Sequence, residues 1–529
     1  MLDSVVGAYL DSLDEREFDG PFMVVLRHRG FYDIHLLHGP YEFGKDWIAK
    51  HEEADGLHQY AFQTKAGDLN ATDWATIRPQ IDELRTSDLG HPSFGRTLPR
   101  RAVLVVTGRL RGKANLLVQE YVARCLERGE PVVEVWDHED LVLEILGHGD
   151  AASLIVPSAD LMALQAAIED DGITLADLET YTRRWAEAGT SPRALWSVLV
   201  EASLVAHGLH MRKRGHLSSA VTLAVFRALE CAGLREASPS LVESGTAMAE
   251  RLFEAYSTMV LADVSPMLEV TDGLFSLHAQ SSSAPVSHTV RCCTVAEVLG
   301  ISGLYWLLHG DAEKAKAMAD QVQTLIQRYP AVAHPISDRY AFTVEVVGCL
   351  LLSLGECETA VGYLAQVVKW VCDAYEKRGG LAGPHANERQ EVDQLLGYAL
   401  EHVQIDDRRS SYIATVVLDL LAISGEKQLY EDARNDFMAV GVLCSQNLPD
   451  GEDRAFNGQG EGTLFQPNIT YEDSLPTAPG WAVAPHHQHV PSSQPSQWGA
   501  LAVGALARDR HWVHLLRDVI RRSRGESAG

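Results

Sequence analysis

The feature that most constrains this chain is a change of hydrophobic period around Gly147-His148-Gly149-Asp150. Before it, short β-branched runs of strand length alternate with helical patterns, the signature of an α/β unit. After it, most of residues 160 to 445 carry the spacing of amphipathic helices joined by short Gly, Ser or Asp turns. A chain of 529 residues is long enough for roughly two to four separately cored domains, so the two patterns are expected to fold apart. The expected organisation is an α/β domain over 1–148, with a mixed central sheet flanked by helices, then an all-α helical-repeat domain over 158–445. A loop-rich segment, 446–497, and a C-terminal helix, 498–524, packed on the helical domain complete it.

In the first region the strand candidates are Asp33 to Leu37, Trp47 to Ala49, Tyr60 to Lys65, Ala102 to Thr107 and Val132 to Trp136. Between the last two, Ala114 to Arg128 has helical spacing, with Leu117, Tyr121 and Cys125 on one face. Strand, helix and strand in that order favour a right-handed crossover and a mixed or parallel sheet. In the second region Gly215, Gly310 and Gly355 each precede an alanine by five positions, at Ala220, Ala315 and Ala360. The physical sense is a tight turn at Gly, acids at the next helix's N-terminus, and Ala where helices approach closely. The pattern resembles degenerate tetratricopeptide repeats, with Gly425-Glu426 opening an irregular further copy, although any antiparallel helical array gives a similar one. It predicts that 160–445 is almost wholly helical, with the three glycines in turns between antiparallel helices, and a β-sheet in that span contradicts it.

Composition narrows the setting. Hydrophobic residues make up 46% and charged residues 22%, ordinary for a soluble globular protein, and no run nears the ~20 uninterrupted apolar residues of a membrane helix. The start, Met1-Leu2-Asp3-Ser4, is acidic and lacks the sections of a secretory signal, so a cytoplasmic protein with no membrane association is expected. The eight cysteines form no CxxC pair, and adjacent Cys292-Cys293 suits neither a zinc knuckle nor an ordinary disulfide, so buried reduced thiols are expected. A formal net charge of -27 excludes nonspecific nucleic-acid binding by the whole surface and confines any such site to a local basic patch. In the loop-rich segment, His486-His487-Gln488-His489 offers imidazoles at i and i+3 without a neighbouring carboxylate or cysteine, and a solvated loop is the plainer reading.

The residues that carry chemistry lie in the first region. Arg16-Glu17-Phe18-Asp19 leads into an apolar helix through Phe22, Val25 and Leu26 that ends at Arg29-Gly30-Phe31. A strand, the loop Gly39 to Asp46, a second strand, a polar hairpin and the strand Tyr60 to Lys65 follow. Gln63 and Lys65, two apart in a strand, share a face, and Asp46 can meet them across the hairpin. Phosphodiester hydrolysis needs a metal to activate water and a cation near the developing phosphorane charge. Asp46 offers magnesium a hard carboxylate oxygen, Gln63 an amide oxygen, and Thr64 its backbone carbonyl. Lys65 would hold or deprotonate the attacking water. The plain alternative for Asp46 and Lys65 is a surface ion pair at a hairpin end.

These elements together resemble the Mrr-like restriction endonuclease branch of the PD-(D/E)XK superfamily. The correspondence runs through Arg16 to Asp19, Gly30-Phe31, Glu42 to Asp46, and Gln63 to Lys65, then the core strand Arg101 to Thr107 and the stretch Val132 to Leu141. It covers about 130 residues, a quarter of the chain. The resemblance implies a restriction-endonuclease-like fold, hydrolysis of DNA, and magnesium as cofactor with manganese as its substitute. It implies catalytic roles for Asp46, Gln63, Lys65 and Glu42, and metal ligation by Asp46, Gln63, Thr64 and Asp19. Two positions depart from the family pattern. Asp19 precedes Gly20-Pro21 and is expected to be the helix N-cap with Pro21 in the first turn, and Glu42 stands where the family more often has Asp.

A basic stretch accompanies this constellation. Arg96, Arg100, Arg101, Arg109, Arg111 and Lys113 occur between Phe94 and Asn115 without an Asp or Glu, and are expected to line a DNA groove. The expected function is thus a DNA endonuclease, an effector of prokaryotic antiviral defence by analogy, whose helical part senses a signal, oligomerises or docks a protein partner. Three rivals stand beside it: a nuclease-like fold without catalysis that serves as a scaffold, an RNA-cleaving nuclease, and a helical enzyme using His486 or His489.

Overall fold

The computed structural model describes residues 2–37, 44–88, 90–95, 97–147, 159–170, 172–276, 284–383, 386, 388–396, 410–447 and 463–466, with 501, 502, 504, 505 and 520 near the C-terminus. The chain divides into two compact units, Met1–Ala167 with Gly189–Val205, and Ile168–Ala188 with Ala206–Gly529. The division differs from a single cut between 148 and 158, since 159–167 and 189–205 belong to the first unit.

The first unit is built on a five-stranded sheet in the order β1-β2-β3-β4-β5. Two helices, α1 (Leu2–Asp11) and α2 (Glu15–His28), precede β1 (Tyr32–Leu36), β2 (Trp47–Glu53) and β3 (Gly56–Lys65). Then come α3 (Ala71–Thr86), β4 (Arg100–Val106), α4 (Lys113–Glu127), β5 (Val133–Trp136) and α5 (His138–Gly147). The first three strands pair antiparallel, and β3, β4 and β5 pair parallel, so the sheet is mixed. All five strands lie where β-branched runs placed them. β2 and β3 are each four residues longer than expected, because Lys50 to Glu53 and Gly56 to Gln59 pair as the polar arms of a hairpin.

Each sheet face has its own cover. On one, Ile48, Ala61, Leu104 and Val106 pack under Ile77 and Ile81 of α3 and Val118 and Tyr121 of α4. On the other, Phe22 of α2 meets Trp47 and Phe62 edge-on, at 5.8 and 5.4 Å between ring centres. Phe31 closes that face against Tyr60 and Trp136.

The start of α2 corrects the expectation for Asp19. Its N-cap is Asp14, whose side chain accepts from the Glu17 N–H while the Glu17 side chain accepts from Asp14, a capping box that satisfies two orphan donors. The helix therefore begins a turn earlier than Asp19, and Pro21 lies inside it, at the cost of one i to i−4 hydrogen bond. The helix end follows the expected pattern, with Gly30 at φ 83° and the Phe31 N–H donating to the Leu26 carbonyl.

In the second unit, short turns fold helices into pairs: Gly215–Leu234 with Pro239–Glu269, Ala284–Leu308 with Ala312–Arg328, Ala341–Ser353 with Cys357–Arg378, and Tyr412–Ser424 with Lys427–Ala439. The first helices of the last three pairs pack on one another in succession. Glycine makes that approach close: a β-carbon at Gly303 would lie 2.5 Å from Leu350 Cδ2, and one at Gly348 2.5 Å from Leu420 Cδ1. Every residue of Ala341–Ser353 is buried, which suits a helix apolar all round. Pro192–Met211 and Val286–Leu308 have the length and hydropathy to cross a membrane, yet most of each is buried within the protein.

Two expectations for this unit need correction. Gly310 and Gly355 do sit in turns, at φ 78° and 79°, but Gly215 is the first residue of a helix. Its smallness lets Val260 approach, whose Cγ2 would be 2.8 Å from an added β-carbon. A β-sheet also enters the span 160–445: β6 (Ser410–Ser411), β7 (Leu443–Asn447) and β8 (Thr463–Gln466) form a three-stranded sheet, which contradicts the reading of the whole span as a tetratricopeptide-like repeat. The sheet is anchored by buried Asp338, which accepts from Ser411 Oγ at 2.7 Å and from the Tyr412 N–H at 2.6 Å. The expected loop character of 448–462 and 467–497, with His486 and His489, lies outside the described residues, as does most of the expected helix 498–524.

A pH test follows from Lys45, which enters β2 fully buried, its Nζ donating to the Glu83 carbonyl at 3.2 Å. Burial pushes its pKa down from 10.5 to about 8. Between those values the unfolded chain holds the proton that the folded chain has lost, so stability rises with pH across this window. Lys45→Met should lack that rise when unfolding by urea is followed from pH 7.5 to 10.5, roughly the span of the two pKa values. Parallel curves for the two proteins would contradict the burial of a charged amine here.

Candidate functional site

The polar end of the sheet is set by the pairing of β2 with β3. Trp47 lies opposite Phe62, and the Asp46 N–H donates to the Phe62 carbonyl at 2.8 Å, so Asp46 enters the sheet beside Gln63. Gly44 makes this entry possible: it holds φ at 70°, and a β-carbon there would lie 2.2 Å from the Gln80 carbonyl oxygen. The location is the carboxyl end of the parallel strands, where α/β sheets place their ligand sites.

Asp46 is held by three donors on one oxygen. Its Oδ2 accepts from Gln63 Nε2 at 2.6 Å, the Thr64 N–H at 2.7 Å and Thr64 Oγ1 at 3.0 Å. Burial raises its pKa, and the Thr64 hydrogen bonds oppose that shift. Neither Asp46 Oδ1 nor Gln63 Oε1 has a hydrogen-bond partner among the described residues. Two hard oxygens thus remain uncommitted among the described residues. The Thr64 carbonyl faces the same edge, since the Phe62 carbonyl two residues earlier points to β2.

Lys65 extends from the strand end to Glu15 of α2, with Nζ 3.1 Å from Oε1. Glu15 is the residue that sequence reasoning missed. It lies one turn before Asp19 on the same helix face, and the signal for it was the Asp14-Glu17 capping box, which brings the helix start to this point. Among the helix carboxylates it is therefore Glu15, and not Asp19, that is found at Lys65. Glu42 lies outside the described residues.

The donor set fits a hard divalent cation: a carboxylate whose charge burial disfavours, an amide oxygen, a backbone carbonyl and a second carboxylate within reach of the same lysine. A cation there would offset the desolvation of Asp46.

The five described basic residues do not form one patch. Arg100 caps the end of α3, donating to the Ser87 carbonyl at 2.9 Å and to Asp88 at 2.8 Å, and Arg101 pairs with Glu53 at 3.2 Å. Both stand at the start of β4, about 20 Å along the strand from its carboxyl end. Arg109, Arg111 and Lys113 follow that carboxyl end, where the Thr107 N–H bonds the Lys65 carbonyl. Arg111 pairs with Asp68 at 2.7 Å, Arg109 has Glu139 at 3.6 Å, and Lys113 is exposed at the start of α4. Arg96 lies outside the described residues. A strand's length separates the two groups, which adjacency in sequence concealed.

Compared with protein-family models, curated proteins and solved structures, the chain matches none.

Asp46 is also a structural acceptor, which gives its variants different expected effects. Asp46→Ala strands the Thr64 N–H and hydroxyl and the Gln63 amide, and should lower stability by about 1–3 kcal/mol. Asp46→Asn keeps an acceptor oxygen and should cost less than Asp46→Ala in urea unfolding. Equal stability of Asp46→Ala and wild type would show that the three donors do not depend on this carboxylate.

Proposed function

We propose that the first unit is a metal-dependent nuclease of the PD-(D/E)XK type, Mrr-like branch, acting on DNA. The observation that supports it is the convergence of Asp46, Gln63 and Lys65 at the carboxyl end of a sheet entered through helix, hairpin, helix and strand in that order. Magnesium, held by Asp46, Gln63, the Thr64 carbonyl and Glu15, supplies Lewis-acid activation of water when bound. Lys65 orients that water or takes its proton, and its ammonium balances charge as phosphate is attacked. Glu15 and Thr64 keep Lys65 and Asp46 in position. Arg109, Arg111 and Lys113 bind backbone phosphates on the same side, offsetting the repulsion that a chain of charge -27 exerts on a polyanion. In this reading the helical unit docks or senses a partner, in the manner of prokaryotic defence effectors.

Incubation of purified protein with plasmid DNA, linear duplex and RNA in magnesium tests the reading. Duplex DNA should be cleaved, with loss of activity on chelation and in Lys65→Ala. Cleavage of RNA alone would move the substrate to RNA, and cleavage of neither polymer would leave a nuclease-like scaffold.

The split of the basic residues adds a second expectation. Reversing Arg109, Arg111 and Lys113 to Glu should weaken DNA binding and reduce the slope of log affinity against log salt by nearly one per lost contact. Reversing Arg100 and Arg101 should leave that slope unchanged. The opposite ranking would place the substrate at the other end of β4.

A further inference from the structure

The helical unit carries an open cavity of about 1210 Å3, larger than the ~300–1,000 Å3 of ordinary small-molecule pockets. Much of its wall is aliphatic, including Val260, Val264, Met267, Val290 and Ile336. The polar groups on the wall fall into two sets. Both buried carboxylates are engaged: Glu391 pairs with Arg339 at 2.8 Å and accepts from Ser337 Oγ, and Glu297 accepts from Thr343 Oγ1. Lys213, exposed at the cavity rim, and Arg291, half-buried, have no carboxylate partner among the described residues, Arg291 donating from Nη1 to the Leu274 carbonyl at 2.7 Å. Arg214 and His216 line the same cavity, and the remaining lining acid, Asp263, is exposed.

Lys213 also carries a conformational cost. It holds φ at 57° in the turn before Gly215, a left-handed conformation that disfavours a residue with a β-carbon by about 1 kcal/mol relative to glycine. A lysine at a position that relaxes with glycine, its side chain on a cavity, points to use of the ammonium group.

We propose that this cavity binds a small molecule made of an anionic phosphate head and an apolar body. Lys213 and Arg291 hold the phosphate, for which the guanidinium fork has matching geometry, and the aliphatic wall covers the body. Lys213, in the turn before Gly215, and Arg291, on Ala284–Leu308, line the same cavity from different elements. Nucleotides and alkyl phosphates both have this chemistry. The cavity does not depend on the nuclease reading of the first unit.

The test is calorimetric titration of the full-length protein with ATP, octyl phosphate and inorganic phosphate. ATP or octyl phosphate should bind saturably, and whichever binds identifies the source of the phosphate. Inorganic phosphate, lacking the apolar body, should bind at least about tenfold more weakly. Lys213→Gly relieves the backbone cost and so should fold at least as well as wild type, yet weaken binding by about tenfold. Arg212→Ala, beside it in sequence but not on the cavity wall, should bind like wild type. The proposal is overturned if neither amphipathic phosphate binds, if Lys213→Gly binds like wild type, or if inorganic phosphate binds as tightly as both.

Discussion

The register between β2 and β3 governs the polar end of the first unit. With Trp47 opposite Phe62, Asp46 falls beside Gln63 and its Oδ2 reaches the Thr64 N–H. A slip of one residue would turn Ile48 and Ala61 out of the core under α3 and carry Asp46 away from these donors. The apolar cover on both faces makes that slip costly, because Trp47 and Phe62 are fixed against Phe22 on one side while Ile48 and Ala61 are fixed on the other. Packing therefore holds a carboxylate where burial alone disfavours its charge, and the hydrogen bonds from Thr64 and the nearby Lys65 act against that penalty.

The same logic separates structural from available charge elsewhere. In the first unit Arg100 and Arg101 serve helix end and hairpin, tied to Asp88 and Glu53. At the end where Asp46 lies, Arg111 and Lys113 are exposed, and the ion pairs of Arg109 and Arg111 are of the surface kind that competing phosphates can displace. In the helical unit the balance is reversed at the cavity: the two buried acids on its wall, Glu297 and Glu391, are engaged, and Lys213 at its rim and Arg291 have no carboxylate partner among the described residues.

Much of the first unit was legible in sequence because its strands are β-branched runs of ordinary length and Gly30 marks a real helix end. Asp46, Gln63 and Lys65 converge as their spacing implies. Three features were hidden for physical reasons. The second half of β2 is polar and stays in the sheet through pairing with β3, a long-range effect that hydrophobic pattern does not record. The start of α2 is decided by a reciprocal cap at Asp14 and Glu17, which outweighs the local signal of Asp19 before Gly20-Pro21 and brings Glu15 to Lys65. The basic residues adjoin in sequence but are divided by the length of β4. In the helical unit, Gly310 and Gly355 could be read as turns, whereas the sheet formed by Ser410–Ser411, Leu443–Asn447 and Thr463–Gln466 depends on pairings across distant segments.

The most direct measurement is binding of a divalent cation to the cluster itself, independent of any cleavage. Manganese, followed by electron paramagnetic resonance and displaced by magnesium, should bind the wild-type protein at a site lost in Asp46→Asn and retained in Gln63→Glu, whose carboxylate still offers an oxygen. Binding that is unchanged in Asp46→Asn, or absent from the wild type, would contradict the assignment of Asp46 and Gln63 as a cation site.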